Sequence, residues 1–425
     1  MSAGHQGLPR LLAGLDRVAA TMSLAEHERI HGSLPQIRPQ ALIEAVELSG
    51  LRGRGGADFP TARKLRAVAD RRRVSAVVVN GSETEPASAK DRLLLSRLPH
   101  LVLDGAVLAA TAVGAREVIV KVGENALSSL HALEGAISSR TTDPVPIHLV
   151  AGPEGYVAGE ESAVMHYLNG SQPLPTFVPP RPFERGYSGR PTLVQNPETL
   201  AQVGLVGRFG PRWYRELGTT ADPGSALVTI SGAVSSPGVY ELAFGTAMND
   251  LLAAAGGPSE PLQALLVGGY FGTWVEAAPA MRLRLAREDL RSVGCSLGSG
   301  VLIALGKHAC GLHESARVIR YLAAESAGQC GPCLNGLPRI AAGLAELAGV
   351  GHRQQTRADL ERWSGLVVGR GACSHPDGTV RFVRSALRVF APEIDRHARG
   401  QCAAANRKPF LPLPDRMPTS EQDWI

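Results

Sequence analysis

VVVNGSETEPASAKDR, residues 77–92, decides how the rest of the chain is read. Three valines follow Val74-Ser75-Ala76, and turn-forming residues close the run, which is the pattern of a fully buried strand. The strand ends at Asn80, and the chain then presents Glu83 and Glu85. In open α/β sheets ligands bind outside the carboxyl ends of the strands. Asn80, Glu83 and Glu85 therefore stand where a site would form, with an amide to pair with a ring or ribose and carboxylates to accept from hydroxyls. The competing reading is a capped helix start with surface acids.

Working outward, EVIVKV (117–122) and PIHLVAG (146–152) read as further buried strands. ALIEAVELSG (41–50), DGAVLAATAVGA (104–115) and ENALSSLHALEGAISS (124–139) read as helices. This alternation predicts an α/β fold with a mainly parallel sheet. A Pro-, Gly- and Arg-rich stretch at 170–192 reads as a long functional loop. A smaller α+β unit begins near 222 with ALVTISG (226–232) and VYELAF (239–244), then a helix at 247–257 and more strand across 262–276. From 311 the chain turns to amphipathic helices at 3.6 spacing, which predicts a helical bundle. The expected division is 1–221, 222–310, 311–397 and an extended tail over 398–425.

Bulk properties set the outer limits. The chain has 425 residues, 44% apolar and 20% charged, the composition of a globular protein. A net charge of +5 favours acidic partners only weakly. No basic run is interleaved with aromatics, so nucleic acid is not an expected partner; Arg71, Arg72 and Arg73 read as a solvated helix end. No apolar stretch approaches the ~20 residues of a transmembrane helix. MSAGHQGLPRLLAGL lacks the long apolar region of a secretory leader. The expectation is a cytoplasmic protein, open to peripheral docking on a membrane complex.

Three further segments carry chemistry. GLRGRGGADFPTARK (50–64) has glycines at 50, 53, 55 and 56 among Arg52, Arg54 and Lys64. Glycines let backbone N–H groups approach a phosphate, and the cations balance its charge. The loop is neither GxGxxG nor a Walker A loop, and a flexible basic loop is the bland alternative. AGPEGYVAGEESAVMHYLNG (151–170) is a glycine-rich turn running through Gly159, Glu160 and Glu161 into a helix; acids in a first helical turn are also ordinary dipole complements. ESAGQCGPCLNG (325–336) places Cys330 and Cys333 in a CxxC, with Cys373 some forty residues on in GRGACSHPDG. Thiolates at this spacing suit an iron–sulfur cluster. Zinc in a structural site takes four ligands, and a redox dithiol would want a thioredoxin-type context that is absent. Cys295 and Cys310 match no ligand position and read as small buried apolar residues.

Taken in order, these segments resemble the flavin-bearing, NADH-binding subunit of respiratory complex I and the diaphorase subunits of NAD-linked hydrogenases and formate dehydrogenases. Gly50–Leu65, Asn80–Arg92, Gly152–Val164, Gly189–Leu200 (GRPTLVQNPETL) and Ser326–Gly336 are similar to five motifs of that family. The resemblance implies a Rossmann-like FMN-binding domain, then a β-grasp-like SLBB module over 226–276, then a helical-bundle iron–sulfur domain. It implies FMN on Gly53, Arg54, Gly55, Gly56, Lys64, Asn80, Glu83, Gly159, Glu160 and Asn196. It implies NAD(H) against Phe59, Glu85 and Glu161, and a cluster on Cys330, Cys333 and Cys373. It further implies a hetero-oligomer that exchanges electrons with a ferredoxin-like or thioredoxin-like iron–sulfur carrier.

The departures from the family pattern are specific. Asp58 stands for a glycine, Ser82 for an aspartate and Gln195 for an asparagine. On the dinucleotide side, PTFVPPRP (175–182) puts Val178 for a lysine and Arg181 for a phenylalanine, and an aromatic is missing near Ala67. Ala327 replaces the first cluster cysteine, which leaves three thiolates for a 3Fe-4S cluster, or for a 4Fe-4S cluster with a fourth ligand from elsewhere; Cys402 is an outside candidate. These changes keep a second expectation in play: a scaffold subunit that has lost NADH oxidation.

Overall fold

The computed structural model describes residues 7–17, 20–402, 404 and 409–414. MSAGHQ, the start of the segment compared with a secretory leader, and most of the tail expected from 398 lie outside the described residues. Helix α1 (Leu24–His31) opens on a capping box in which Ser23 and Glu26 satisfy each other's backbone donors. Helix α2 (Pro39–Ser49) closes at Gly50 in the left-handed region, and α3 (Thr61–Ala69) follows the glycine loop.

Strand β1 (Ala76–Gly81) is central, with Ala76 to Val79 fully buried on both faces. That double burial is why its sequence is a continuous apolar run. After it come α4 (Lys90–Arg97), α5 (Pro99–Val113), β2 (Glu117–Gly123), α6 (Leu127–Ser138), β3 (Ile147–Gly152), α7 (Glu161–Leu168), β4 (Leu193–Gln195) and α8 (Pro197–Tyr214). The sheet is wholly parallel in the order β3-β2-β1-β4. The order reverses between β1 and β4, so the crevice past Gly81 and Gln195 is the topological switch point of the sheet.

Helix α5 is buried along nearly its whole length. It crosses α8 at two glycines: a Cβ on Gly105 would fall 1.7 Å from the Leu200 carbonyl oxygen, and Gly204 faces the Gly105 nitrogen at 3.2 Å from its own ideal Cβ. Among the described residues no single helix is long and apolar enough to cross a membrane.

The second sheet holds β5 (Ser225–Gly232), β6 (Gly238–Ala243), β7 (Leu262–Val267), β8 (Thr273–Glu276) and β9 (Val301–Gly306), interrupted by α9 (Met248–Ala254), α10 (Ala277–Ala280) and α11 (Arg287–Ser292). Its order is β6-β5-β9-β7-β8, with β5 and β9 parallel and the other pairs antiparallel. In strand sequence this is 2-1-5-3-4, the β-grasp order. The central strand, VLIALG, carries no turn or period signal and goes unread in the sequence.

Helices α12 (Gly311–Ala324), α13 (Leu337–Ala348), α14 (Thr356–Val367), α15 (His375–Val389) and α16 (Ala391–Ala398) form the bundle. It seats on the β-grasp sheet through Trp274, whose ring meets Phe390 edge-on at 5.2 Å. The described part of the tail is docked rather than merely extended. Glu314 accepts from the backbone nitrogens of Phe410 (3.2 Å) and Leu411 (2.8 Å), Tyr270 donates to the Pro412 carbonyl, and Leu411 is buried.

Candidate functional site

The switch-point crevice gathers the three glycine-bearing segments. The 50–64 loop is closed by a bond from Gly53 N to Phe59 O at 2.8 Å. Gly55 packs on Asn196, with room of only 3.3 Å between an added Cβ and that side chain. Gly159 lies against Thr84 and Ser82, where an added Cβ would meet Thr84 Cγ2 at 2.9 Å. Asn80 Nδ2 donates to the Gly159 carbonyl at 2.8 Å, tying the end of β1 to the 151–160 turn. Asn196 caps α8 by accepting from Glu198 N, and its amide donates to Asp91 at 2.6 Å. Asp58 adopts φ +48° in place of the family's glycine, a region short polar side chains enter at modest cost, and it is braced by Arg52 at 2.9 Å.

Charged residues divide into those left at the crevice and those spent on the fold. Lys64 pairs with Glu161 at 2.9 Å, and both remain partly exposed. Glu160 caps α7, accepting from Ser162 N and Ala163 N. Arg54, expected on the flavin, has its guanidinium packed against Tyr214, the Ser225 carbonyl and Phe244 while still lining the cavity beside the glycine loop, and its backbone N donates to Thr199 Oγ1. Glu83, also expected there, accepts from Ser88 Oγ, Asp91 N and Arg92 N. Ala89 cannot cap α4, and Glu83 fills that place. Burial, then Asp91, pushes its carboxyl above the usual range.

Glu85, expected against NAD, is buried instead. Its Oε2 accepts from Tyr156 OH at 2.9 Å and Tyr270 N at 2.8 Å. Burial raises its pKa to about 7 against those donors. A raised acid favours the folded state while protonated, so this contribution is present below about pH 4.5 and is lost as pH rises through 7. The Glu85→Gln variant keeps a carbonyl for both donors and cannot ionise. Its stability minus that of the parent is expected to climb by roughly 3 kcal/mol from pH 4.5 to 7.5, read from denaturant midpoints. A flat difference across that interval would refute the assignment.

Two buried cations were missed by sequence reasoning. Lys90 Nζ bonds Asp91 at 2.8 Å and Glu198 at 3.0 Å. Burial opposes its charge, but the two acids outweigh burial and hold its pKa above the usual lysine range. Lys121, at the end of β2, donates to Ser82 Oγ at 2.7 Å and the Pro153 carbonyl at 3.2 Å, and burial lowers its pKa to about 8. A lone lysine inside EVIVKVG was the available signal.

The residues present fit a flavin nucleotide. The glycines leave backbone close to an incoming group; a cavity of about 300 Å³ between the glycine loop and the β-grasp unit, lined in part by Gly53, Arg54, Gly56, Asp58, Lys90 and Arg287, adjoins that loop, while Lys64, Asn80, Gly159 and Gln195 stand outside its lining. Gln195 Nε2, buried at the end of β4, has no hydrogen-bond partner among the described residues. It is an unspent donor at the strand edge that the Asn-to-Gln departure preserves.

Cys330 and Cys333 flank Pro332 at the start of a π-turn (Pro332–Gly336), and Cys373 lies in the α14–α15 loop. Each sulfur receives backbone N–H groups. Burial would raise the Cys330 thiol, but the amides of Ala372 and Cys333 outweigh it and bring it below the usual range. Burial and Cys330 push Cys333 up to about 12. Cys373 accepts from the His375 amide, and burial, with Glu160 and Cys330, raises it. Amide donors aimed at sulfurs are a lever on cluster potential. Ala327 sits half-buried just before Gly328, with no thiol to offer. Cys402 lies beside Cys310, away from this group. Phe59, Phe177, Val178 and Arg181 are all exposed.

The chain matches three family models in sequence: Nuo51 FMN-binding domain over residues 46–205, SLBB domain over 227–269, and NADH-ubiquinone oxidoreductase-F iron-sulfur binding region over 313–397. It is 30% identical over 391 residues to an F subunit of the NADH-quinone oxidoreductase of Rhizobium meliloti, covering 87% of this chain and 92% of that one. It is 31% identical to the alpha subunit of the NAD-reducing hydrogenase HoxS of Cupriavidus necator, covering 84% of this chain and 60% of that longer protein. A crystal structure of an NAD+-reducing [NiFe]-hydrogenase in the H2-reduced state superposes with a TM-score of 0.79 at 30% identity, over 93% of this chain and 67% of that one.

Proposed function

The chain belongs to the F-type family of NADH-quinone oxidoreductase subunits, and on that footing we propose that it is an FMN-dependent electron-transfer subunit working between NAD(P)H and an iron–sulfur carrier. One observation carries the reading: the 151–160 turn that borders the flavin crevice, where Gly159 O accepts from Asn80, is also bonded to the start of the cysteine loop, Tyr156 N donating to Glu325 at 2.8 Å. The two-electron and one-electron halves of the chemistry are therefore joined through one turn.

When bound, FMN accepts a hydride and gives up its electrons singly, and the cluster takes them one at a time. The chain's residues position these groups. Backbone N–H groups of Gly55 and Gly56 with Lys64 would hold the phosphate. Asn80, Gly159, Gln195 and Asn196 would border the ring, with Lys121 as a nearby buried cation. Arg54 and Glu83 act through other residues: Arg54 fixes Thr199 on α8, and Glu83 fixes α4. Exposed Phe59 offers a stacking face for the dinucleotide, next to Glu161, and Arg181 takes the place of the family's aromatic. Cys330, Cys333 and Cys373 would hold the cluster. The relatives are subunits of larger assemblies, so a hetero-oligomer with a ferredoxin-like or thioredoxin-like partner is the expected setting.

The test is an anaerobic preparation with its visible spectrum, iron content and response to NADH and NADPH. Flavin absorbance that bleaches with either nucleotide is the expected result. A colourless protein would favour the scaffold reading that Ala327, Val178 and Arg181 suggest, and a coloured one indifferent to both nucleotides would point to another electron donor. In the same preparation Lys64→Ala is expected to weaken FMN binding about ten- to a hundredfold, the worth of a charge-assisted bond, measured by flavin fluorescence on titration. Unchanged affinity would remove Lys64 from the phosphate site.

A further inference from the structure

Away from the crevice, three potential ligands converge where the β-grasp sheet meets the bundle, with Glu393 beside one of them. Cys310 caps the start of α12, His397 ends α16, and Cys402 follows as the chain doubles back. One ligand atom from each lies within 4.8 Å of the other two. Cys310 Sγ is 3.6 Å from His397 Nε2 and 3.6 Å from Glu393 Oε2. Cys310, Glu393 and His397 are all buried. His397 Nδ1 lies 3.1 Å from the Leu347 carbonyl, an acceptor only, so Nδ1 carries the proton and the Nε2 lone pair points at the sulfur. A metal-binding imidazole is oriented in just this way by its other nitrogen.

We propose that Cys310, His397 and Cys402 form a zinc-class divalent cation site separate from the iron–sulfur centre, its fourth position filled by water. The distances support it. With metal–sulfur near 2.3 Å and metal–nitrogen near 2.0–2.1 Å, tetrahedral angles put a sulfur about 3.6 Å from a neighbouring nitrogen, which is the spacing of Cys310 Sγ and His397 Nε2. The donor set of two sulfurs and one imidazole is soft to borderline and suits zinc over magnesium or calcium. Binding forms two metal–thiolate bonds and releases the two thiol protons to solvent, with no change of oxidation state. The ion would join the last helix and the returning tail to α12, next to Glu393, which Gln263 on β7 holds by donating to its Oε1 at 2.6 Å.

The test uses the full chain, purified anaerobically with its cofactors, and elemental analysis for zinc. Zinc lodged at the cluster cysteines is separated by the double variant Cys330→Ser/Cys333→Ser. One equivalent of zinc is expected in the parent and in that double variant. It should be lost in Cys402→Ser and in His397→Gln, with FMN content unchanged and a lowered melting temperature. Cobalt added to chelator-stripped protein should give a thiolate-to-cobalt charge-transfer band that Cys402→Ser lacks. Cys402 lies beyond the last helix and is half-buried, so its variant folds; His397→Gln is the second check. Zinc content unaffected by Cys402→Ser would overturn the proposal. So would a parent with neither zinc nor a thiolate–cobalt band, or a Cys310–Cys402 disulfide in the fresh protein.

Discussion

Gly105→Ala is expected to unfold the FMN-binding unit or leave it unable to hold flavin. The added methyl would sit 1.7 Å from Leu200 O and 2.4 Å from Leu200 C, both main-chain atoms of the neighbouring helix. No rotamer change can relieve such a clash, so α8 must move away from α5. Overpacking usually costs about 1–3 kcal/mol, and a backbone-on-backbone clash belongs at or beyond the top of that range. A loss of about 3 kcal/mol corresponds to a fall of roughly 10 °C in melting temperature for a unit of this size. The damage reaches the crevice directly, because the start of α8 carries Asn196, Glu198 and Thr199, which position the glycine loop, Lys90 and Arg54. Thermal melts followed by flavin fluorescence would measure both effects. A variant that melts within two or three degrees of the parent and retains its flavin would show that the helix crossing is looser than these distances require.

Cys330→Ser combined with Cys333→Ser is expected to stop electrons at the flavin. Iron and the cluster's visible absorbance should vanish, and reduction of a one-electron iron–sulfur carrier should fall to background. NADH-driven reduction of a small two-electron dye should persist, since Lys64, Asn80 and Asn196 are untouched. Equal loss of both activities would argue that the cysteines support the fold rather than the electron path. The complementary variant Ala327→Cys supplies the thiolate that this chain lacks. It is expected to raise iron content from about three to about four atoms per cluster, with the matching change in electron paramagnetic resonance. Unchanged iron on adding that thiolate would mean the parent already fills the fourth position from another donor.

Much of this architecture is written in local pattern. VSAVVVN, EVIVKV and PIHLVAG become β1, β2 and β3 because each is a short apolar run between turn residues. The adjacent glycine and asparagine motifs mark the crevice because strand ends are where such residues gather. What the sequence conceals is partnership across long separations. β4 is only Leu193–Gln195, too short for a period, and it exists because β1 offers it a free edge. Glu83 and Glu85 look like ligand contacts, and only the folded chain shows that their oxygens are taken by α4 and by two distant tyrosine residues. Cys310 passes for a small apolar residue because its neighbours, His397 and Cys402, lie some ninety residues away.

The surroundings of Glu85 bear on how this chain can be cut. Its own segment belongs to the parallel-sheet unit, Tyr270 to the β-grasp turn, and Tyr156 reaches between them and the bundle, its ring meeting Phe271 of that turn at 4.7 Å and, in the bundle, His375 at 5.7 Å and Tyr321 at 6.1 Å. Tyr156 N also bonds Glu325 at the end of α12. The parallel-sheet unit, the β-grasp unit and the bundle thus meet around one acid. Truncation near residue 221 would strand a buried carboxyl without its Tyr270 donor and bare the aromatic face beneath it. The familiar economy of expressing one module alone does not suit this protein, whose pieces share a keystone.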